Sequence, residues 1–159
     1  MIRVQDGDFD IGAELKALTA GDTSVGAVAS FTGLVRDMAP VDGETRTIRT
    51  MTLEHYPGMT ERKLAEIEAE ANTRWPLTAS LIIHRYGTLS PGDQIVFVAC
   101  ASAHRQAAFD ACQFLMDWLK TEAPFWKLED TDTGGVWVEA RESDDRAAAR
   151  WTRKPGDAA

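Results

Sequence analysis

LIIHRYGTLSPGDQIVFVACA, residues Leu81–Ala101, decides the fold class. Two apolar runs, Leu81–Tyr86 and Ile95–Ala101, flank GTLSPGD, whose Pro-Gly-Asp is a strong turn signal. A parallel crossover needs a dozen or more residues. The two runs are therefore expected to pair as an antiparallel hairpin.

Working outward, Ala103–Glu122 carries the longest helical pattern and stops before Pro124, whose ring biases Ala123 away from helix. Phe125–Asp130 and Val136–Ala140 read as strands joined across Gly134-Gly135, and Ser143 is expected to cap a short terminal helix. Upstream, Thr60 is expected to cap a helix running to about Arg74, with Leu64, Ile67 and Ala71 as its buried stripe. Ile48–Glu54 alternates as a strand. The polar stretch Arg36–Arg46, with Pro40 and Gly43, reads as a loop. Val25–Thr32 is a further strand closed by Gly33, Ile11–Leu18 a helix and Ile2–Val4 a strand. Strands outnumber helices and short turns join neighbours, so the class is α+β with mainly antiparallel pairing.

The chain has 159 residues, of which 44% are hydrophobic. That supports one domain over 1–151, with residues 152–159 as a flexible tail. A formal net charge of −8 argues against a general nucleic-acid binder, since counterion release needs a basic face. No apolar run is long enough for a membrane span, and the N-terminal residues MIRVQDGDFD lack a signal-like apolar core, so a cytoplasmic protein is expected. Cys100 and Cys112 form no CxxC and sit in apolar patterns, which reads as buried free thiols.

Candidate chemistry gathers at the two ends of the long helix. Lys120 falls in its last turn and Lys127 just beyond the Pro124 break, so a chain reversal can aim both at one pocket. Alone, Lys120 can simply favour a helix C-terminus and Lys127 be an exposed strand residue. Facing each other, two ammonium groups would repel, which suits one of them to proton transfer. At the other end, His104 and Arg105 stand where free N–H groups and the helix dipole favour a phosphate, although His104 can also merely close the helix start. Arg36 adds a cation from the loop. His55 and His84, each at a strand end beside a turn signal, read as structural. Trp118, Phe125 and Trp126 read as core or as an interface anchor, with core favoured. No GxGxxG, Walker lysine loop, GxSxG or HExxH is present.

FTGLVRD, LEHYPGM, IHRYGTLSPGD, SAHRQAAFDACQFLMDWLKTEAPFWK and WVEARESD, in this order and at these spacings, resemble the large catalytic subunit of molybdopterin synthase. The resemblance spans roughly residues 25–151. It implies an α/β hammerhead-type fold and a homodimer within a heterotetramer. Its partner is a small ubiquitin-like sulfur carrier whose C-terminal Gly-Gly thiocarboxylate enters a pocket. Two sulfurs then pass to cyclic pyranopterin monophosphate, forming the molybdopterin dithiolene of molybdenum cofactor biosynthesis. No cofactor or metal of its own is implied. The motifs carry Lys120 and Lys127 over as catalytic residues. With Leu34, Val35, Arg36, His104, Arg105, Glu129 and Arg141 they are also carried over as substrate-binding. Leu34 stands where the family pattern can have a lysine, so only a backbone role transfers to it.

On that reading the lysines neutralise charge as the thiocarboxylate attacks, His104, Arg105 and Arg36 hold the phosphate, and Glu129 orients a lysine. Helix geometry adds a constraint. His104 and Lys120 would lie about 24 Å apart on a continuous helix, pointing to nearly opposite sides. Either the helix is broken, or each pocket takes its lysines from one subunit and its His-Arg pair from the other; the second is expected, with Arg141 crossing over too. A non-catalytic protein that docks a ubiquitin-like tail is the competing reading.

Overall fold

The computed structural model describes residues 1–41, 44–132, 134–138 and 142–151. In chain order the elements are β1 (Ile2–Gln5), α1 (Ile11–Leu18), β2 (Ala27–Leu34), β3 (Met38–Val41), β4 (Glu44–His55), α2 (Met59–Arg74), β5 (Leu77–Arg85), β6 (Gly87–Leu89), β7 (Gln94–Ser102), α3 (Arg105–Glu122), β8 (Phe125–Thr131), β9 (Gly134–Val138) and α4 (Glu142–Ala149). They form an α+β fold with two mainly antiparallel sheets. The first has the order β1-β5-β7-β2, and the second β3-β4-β8-β9 with β6 also on β4. Among the described strands, only β1 runs parallel to its neighbour, β5.

The expected hairpin is present: β5 and β7 pair antiparallel, with Ile82 opposite Val98. The linking segment is not all turn, because Gly87–Leu89 leaves the first sheet and pairs with Met51–Leu53 of the second. That switch of three residues joins the two sheets, and Leu89 is buried where it does so.

Apolar alternation explains the layers. On one face of the first sheet, Ile82, Val96, Val98 and Cys100 pack against Leu64, Ile67 and Ala71 of α2 and against Ala108, Ala111, Phe114, Leu115 and Leu119 of α3. On the other face, Leu81, Ile83, Phe97 and Ala99 meet Phe9 and the Ile11, Leu15 and Leu18 stripe of α1. Full burial of each Val, Leu, Ile or Phe among them contributes about 1.5–3 kcal/mol. A third cluster of Val35, Met51, Leu53 and Leu89 belongs to the second sheet.

Several expected boundaries move, each for a local reason. Arg36–Arg46 is not simply a loop: Met38–Val41 pairs with Glu44–Thr47 as a hairpin. The intervening Asp42-Gly43, outside the described residues, is a dipeptide that favours such hairpins in sequence. Gly33 does not close β2 but lies within it, where a Cβ would come 2.7 Å from Val96 Cγ1, and the register shifts immediately after it. Thr60 is not the α2 cap. Gly58, at φ 80°, holds that position, and its N–H donates to Glu61 Oε2 at 2.6 Å. Thr60 is fully buried and its hydroxyl donates to the Pro124 carbonyl at 3.3 Å, tying α2 to the α3–β8 turn. The α4 helix begins at Glu142, ahead of Ser143. The end of the expected last strand, Glu139–Ala140, and the tail 152–159 lie outside the described residues. No described helix is long and apolar enough to cross a membrane.

Candidate active site

A cavity of about 770 Å³ opens where the C-terminal end of α3 meets both sheets. Its apolar wall includes Phe31, Met51, Leu53, Val96, Met116 and Leu119, and its polar side chains include Arg36, Lys120, Lys127 and Asp144. The reversal at Ala123-Pro124 does what the sequence suggested. It turns the chain from α3 into β8, so the two lysines of KTEAPFWK face one space from two elements.

The lysines do not face each other bare. Lys127 Nζ lies 2.9 Å from Glu129 Oε1, two residues along the same face of β8, and that carboxylate is 4% exposed. Lys120 Nζ lies 4.0 Å from Asp144 Oδ1 of α4. Glu129 is thus placed beside Lys127 on the same strand. Sequence alone marks Asp144 only as an acidic residue near a helix start. Its membership of the WVEARESD motif was the signal available.

Leu34 is exposed at the cavity rim, while the Val35 side chain is buried in the second sheet's cluster. The Val35 backbone is held on both sides, its N–H donating to Asp93 O at 2.9 Å and its carbonyl accepting from Gly92 N at 2.8 Å. That clamp sets the direction in which exposed Arg36 leaves the strand, at the shared edge of the main cavity and a shallower one against Pro91-Gly92.

His104 and Arg105 are not in this cavity. They are exposed at the other end of α3, a single continuous helix from Arg105 to Glu122. His104 occupies the N-cap position without a side-chain capping bond. The crossing of Gly26 beneath it fixes this helix start: Gly26 N donates to Ser102 O at 3.1 Å, and a Cβ at Gly26 would collide with the Ala103 carbonyl. Arg141 lies outside the described residues.

His84 forms part of the cavity wall and is more than a strand terminus. Its ring stacks on Phe125 with centroids 3.6 Å apart, and Nδ1–H donates to the Arg85 carbonyl at 2.9 Å. Burial pushes its pKa from 6.5 down to about 4, with the neighbouring His55 acting in the same direction and the carbonyl bond opposing. The unfolded chain binds this proton below about pH 6.5 and the folded chain only below about 4. Stability should therefore fall as pH drops through that window, by on the order of 3 kcal/mol in full. Unfolding free energies of wild type and His84→Phe between about pH 4 and 7 check this. The variant should show a shallower acid slope, and equal slopes would refute the assignment.

The expected aromatic cluster separates into three environments. Trp118 packs edge-on to Phe114 in the α3 core, Phe125 lines the cavity, and Trp126 turns to the opposite face against Tyr56. Both cysteines are buried free thiols, as read from the sequence. Burial raises the pKa of both, that of Cys112 to about 11, which leaves neither suited to nucleophilic attack.

The chain is similar to several known proteins. A family model described as MoaE protein matches residues 4–122. The molybdopterin synthase catalytic subunit of Pseudomonas aeruginosa is 59% identical over 150 residues, covering 94% of this chain and 97% of its own. The solved MoaE protein of Burkholderia ambifaria superimposes with a TM-score of 0.80 at 51% identity, covering 97% of this chain and 99% of its own. The molybdopterin synthase structure from Staphylococcus aureus gives 0.77 at 30% identity, over 86% of this chain and 96% of its own.

Proposed function

The chain belongs to the MoaE family, the catalytic subunits of molybdopterin synthase, and we propose that the Lys120–Lys127 cavity is where its sulfur transfer takes place. It is accordingly an enzyme of molybdenum cofactor biosynthesis, and the docking-only alternative falls. The proposal covers one cytoplasmic catalytic domain over residues 1–151. The observation that carries it is the convergence of Lys120, Lys127 and Arg36 on one cavity of an otherwise acidic protein.

A ubiquitin-like carrier inserts its C-terminal Gly-Gly thiocarboxylate into this cavity, with cyclic pyranopterin monophosphate as acceptor. The thiocarboxylate sulfur attacks a carbon of the pterin side chain and displaces the oxygen bound there, which leaves with a proton as water or, at the cyclic phosphate, stays on the phosphate as its ring opens. Water then cleaves the acyl–sulfur bond, so sulfur stays on the substrate and the carrier leaves as a carboxylate. Two such transfers complete the dithiolene. Lys127, oriented by Glu129, and Lys120 stabilise the anions formed and move the protons. Because the carrier brings the sulfur, the inert cysteines fit this chemistry.

The substrate phosphate is held by Arg36 together with His104, Arg105 and Arg141. Continuous α3 keeps His104 about 24 Å from Lys120, so the His-Arg pair serves the partner subunit's pocket in a homodimer. Two carriers complete a heterotetramer. The open edge of β2, with exposed Phe31, and exposed Phe109 on α3 support burial against a second copy. The test is dithiolene formation by wild type and by a mixed dimer of Lys120→Ala and His104→Ala chains. Wild type should form product and the mixed dimer should keep about half its activity, because one pocket in two stays complete. A mixed dimer as inactive as its parents would place each site within one chain.

A further inference from the structure

The two ammonium–carboxylate pairs of the cavity differ in kind. Lys127 and Glu129 share one strand and touch at 2.9 Å, with the carboxylate almost wholly buried. Lys120 and Asp144 come from different helices and stand 4.0 Å apart, too far for a hydrogen bond, with Lys120 half exposed. The first pair is fixed, whereas the second can exchange its anion.

The placement of Asp144 is a tertiary achievement. The far end of α4 is bolted to α3 through Asp117 Oδ2, which accepts from Arg150 Nη2 at 2.6 Å, Arg150 Nε at 3.1 Å and Trp151 Nε1 at 2.7 Å. The Trp151 ring packs edge-on against Phe114 and Trp75. With that end fixed, the start of α4 brings the Asp144 carboxylate into the cavity wall, facing the ammonium of Lys120.

We propose that Asp144 is a positioning residue, an exchangeable counter-ion that holds Lys120 at the cavity and gives it up to the terminal carboxylate or thiocarboxylate of the carrier. This rests on the sulfur-transfer reading of the same cavity. Each turnover exchanges one anion for another: the thiocarboxylate tail displaces Asp144 from Lys120, and Asp144 reclaims Lys120 as the spent, carboxylate-ended tail leaves. Without the competing anion the tail binds more tightly and leaves more slowly.

The experiment measures Kd for the carboxylate-ended carrier subunit with wild type, Asp144→Asn and Asp144→Glu, alongside kcat and KM with thiocarboxylated carrier. Asp144→Asn should tighten Kd about five- to tenfold, the scale of one like charge removed a few ångströms away in a partly solvated site. It should also lower kcat and KM together, and Asp144→Glu should move all three back towards wild type. Unchanged or weaker binding by Asp144→Asn overturns the proposal, since loss of a merely structural contact would loosen the site. A carrier lacking its last two residues separates the two readings. If wild type binds it as well as the full carrier, the tail does not use this cavity, and the sulfur-transfer reading fails with it. If wild type needs the tail but Asp144→Asn binds like wild type, only the role of Asp144 fails.

Discussion

Lys127→Ala should lower kcat for dithiolene formation by about 10²–10³-fold while leaving carrier binding intact, the size seen when one preorganised donor to a developing anion is removed. The variant has a second consequence to separate from the first. The Glu129 carboxylate is 4% exposed and has Lys127 2.9 Å away, so deleting the lysine strands a buried charge. Lys127 itself is 29% exposed, and solvent softens that penalty. Adding Glu129→Gln to Lys127→Ala removes the stranded charge. If the single variant is inactive because it is destabilised, the double variant regains activity as well as stability. If Lys127 acts on the reacting atoms, the double variant regains stability alone. Equal loss of carrier binding in Lys127→Ala would instead move the residue from catalysis to docking.

Phe114→Ala should cost about 3–5 kcal/mol of unfolding free energy. At about 2–4 °C per kcal/mol for a chain of this size, that lowers Tm by on the order of 10 °C. Phe114 is fully buried, and its ring meets Trp75 at 5.3 Å, Trp151 at 5.6 Å and Trp118 at 6.2 Å, with Arg74 Cζ 4.9 Å above it. One ring therefore joins α2, α3 and the segment after α4, and a cavity there has little freedom to collapse. Phe114→Leu, which fills most of the space, should cost well under half as much in the same thermal and urea unfolding measurements. A small loss for Phe114→Ala would mean that the three tryptophans close over the gap.

The elements legible in the sequence were those with strong local signals. Ile11–Leu18 matches α1 residue for residue, because Asp10 caps it and its apolar stripe has helical spacing. The β5–β7 hairpin followed from one turn and two apolar runs. What the sequence concealed depended on partners remote in the chain. Gly87–Leu89 is too short to show a period, and it is a strand only because β4 offers an unpaired edge. Thr60 resembles a cap by residue type, yet its hydroxyl, which accepts from Tyr56 N, donates to the carbonyl of Pro124, sixty-four residues away. His84 is pushed towards neutrality by burial that no local pattern announces.

The candidate site divides along the same line. Residue types, their order and the helix repeat were enough to determine that this acidic chain gathers cations around a Pro break, and that a continuous α3 keeps His104 away from Lys120. Periodicity, turn chemistry and charge are local properties, and they survive in a one-dimensional text. Only the tertiary structure decided that Lys127 has Glu129 fixed beside it, while Lys120 faces a carboxylate from α4 at a distance that permits exchange. The Lys120 geometry depends on where α4 comes to rest, and that depends on Asp117, Arg150 and Trp151 meeting across a fold that no local signal encodes.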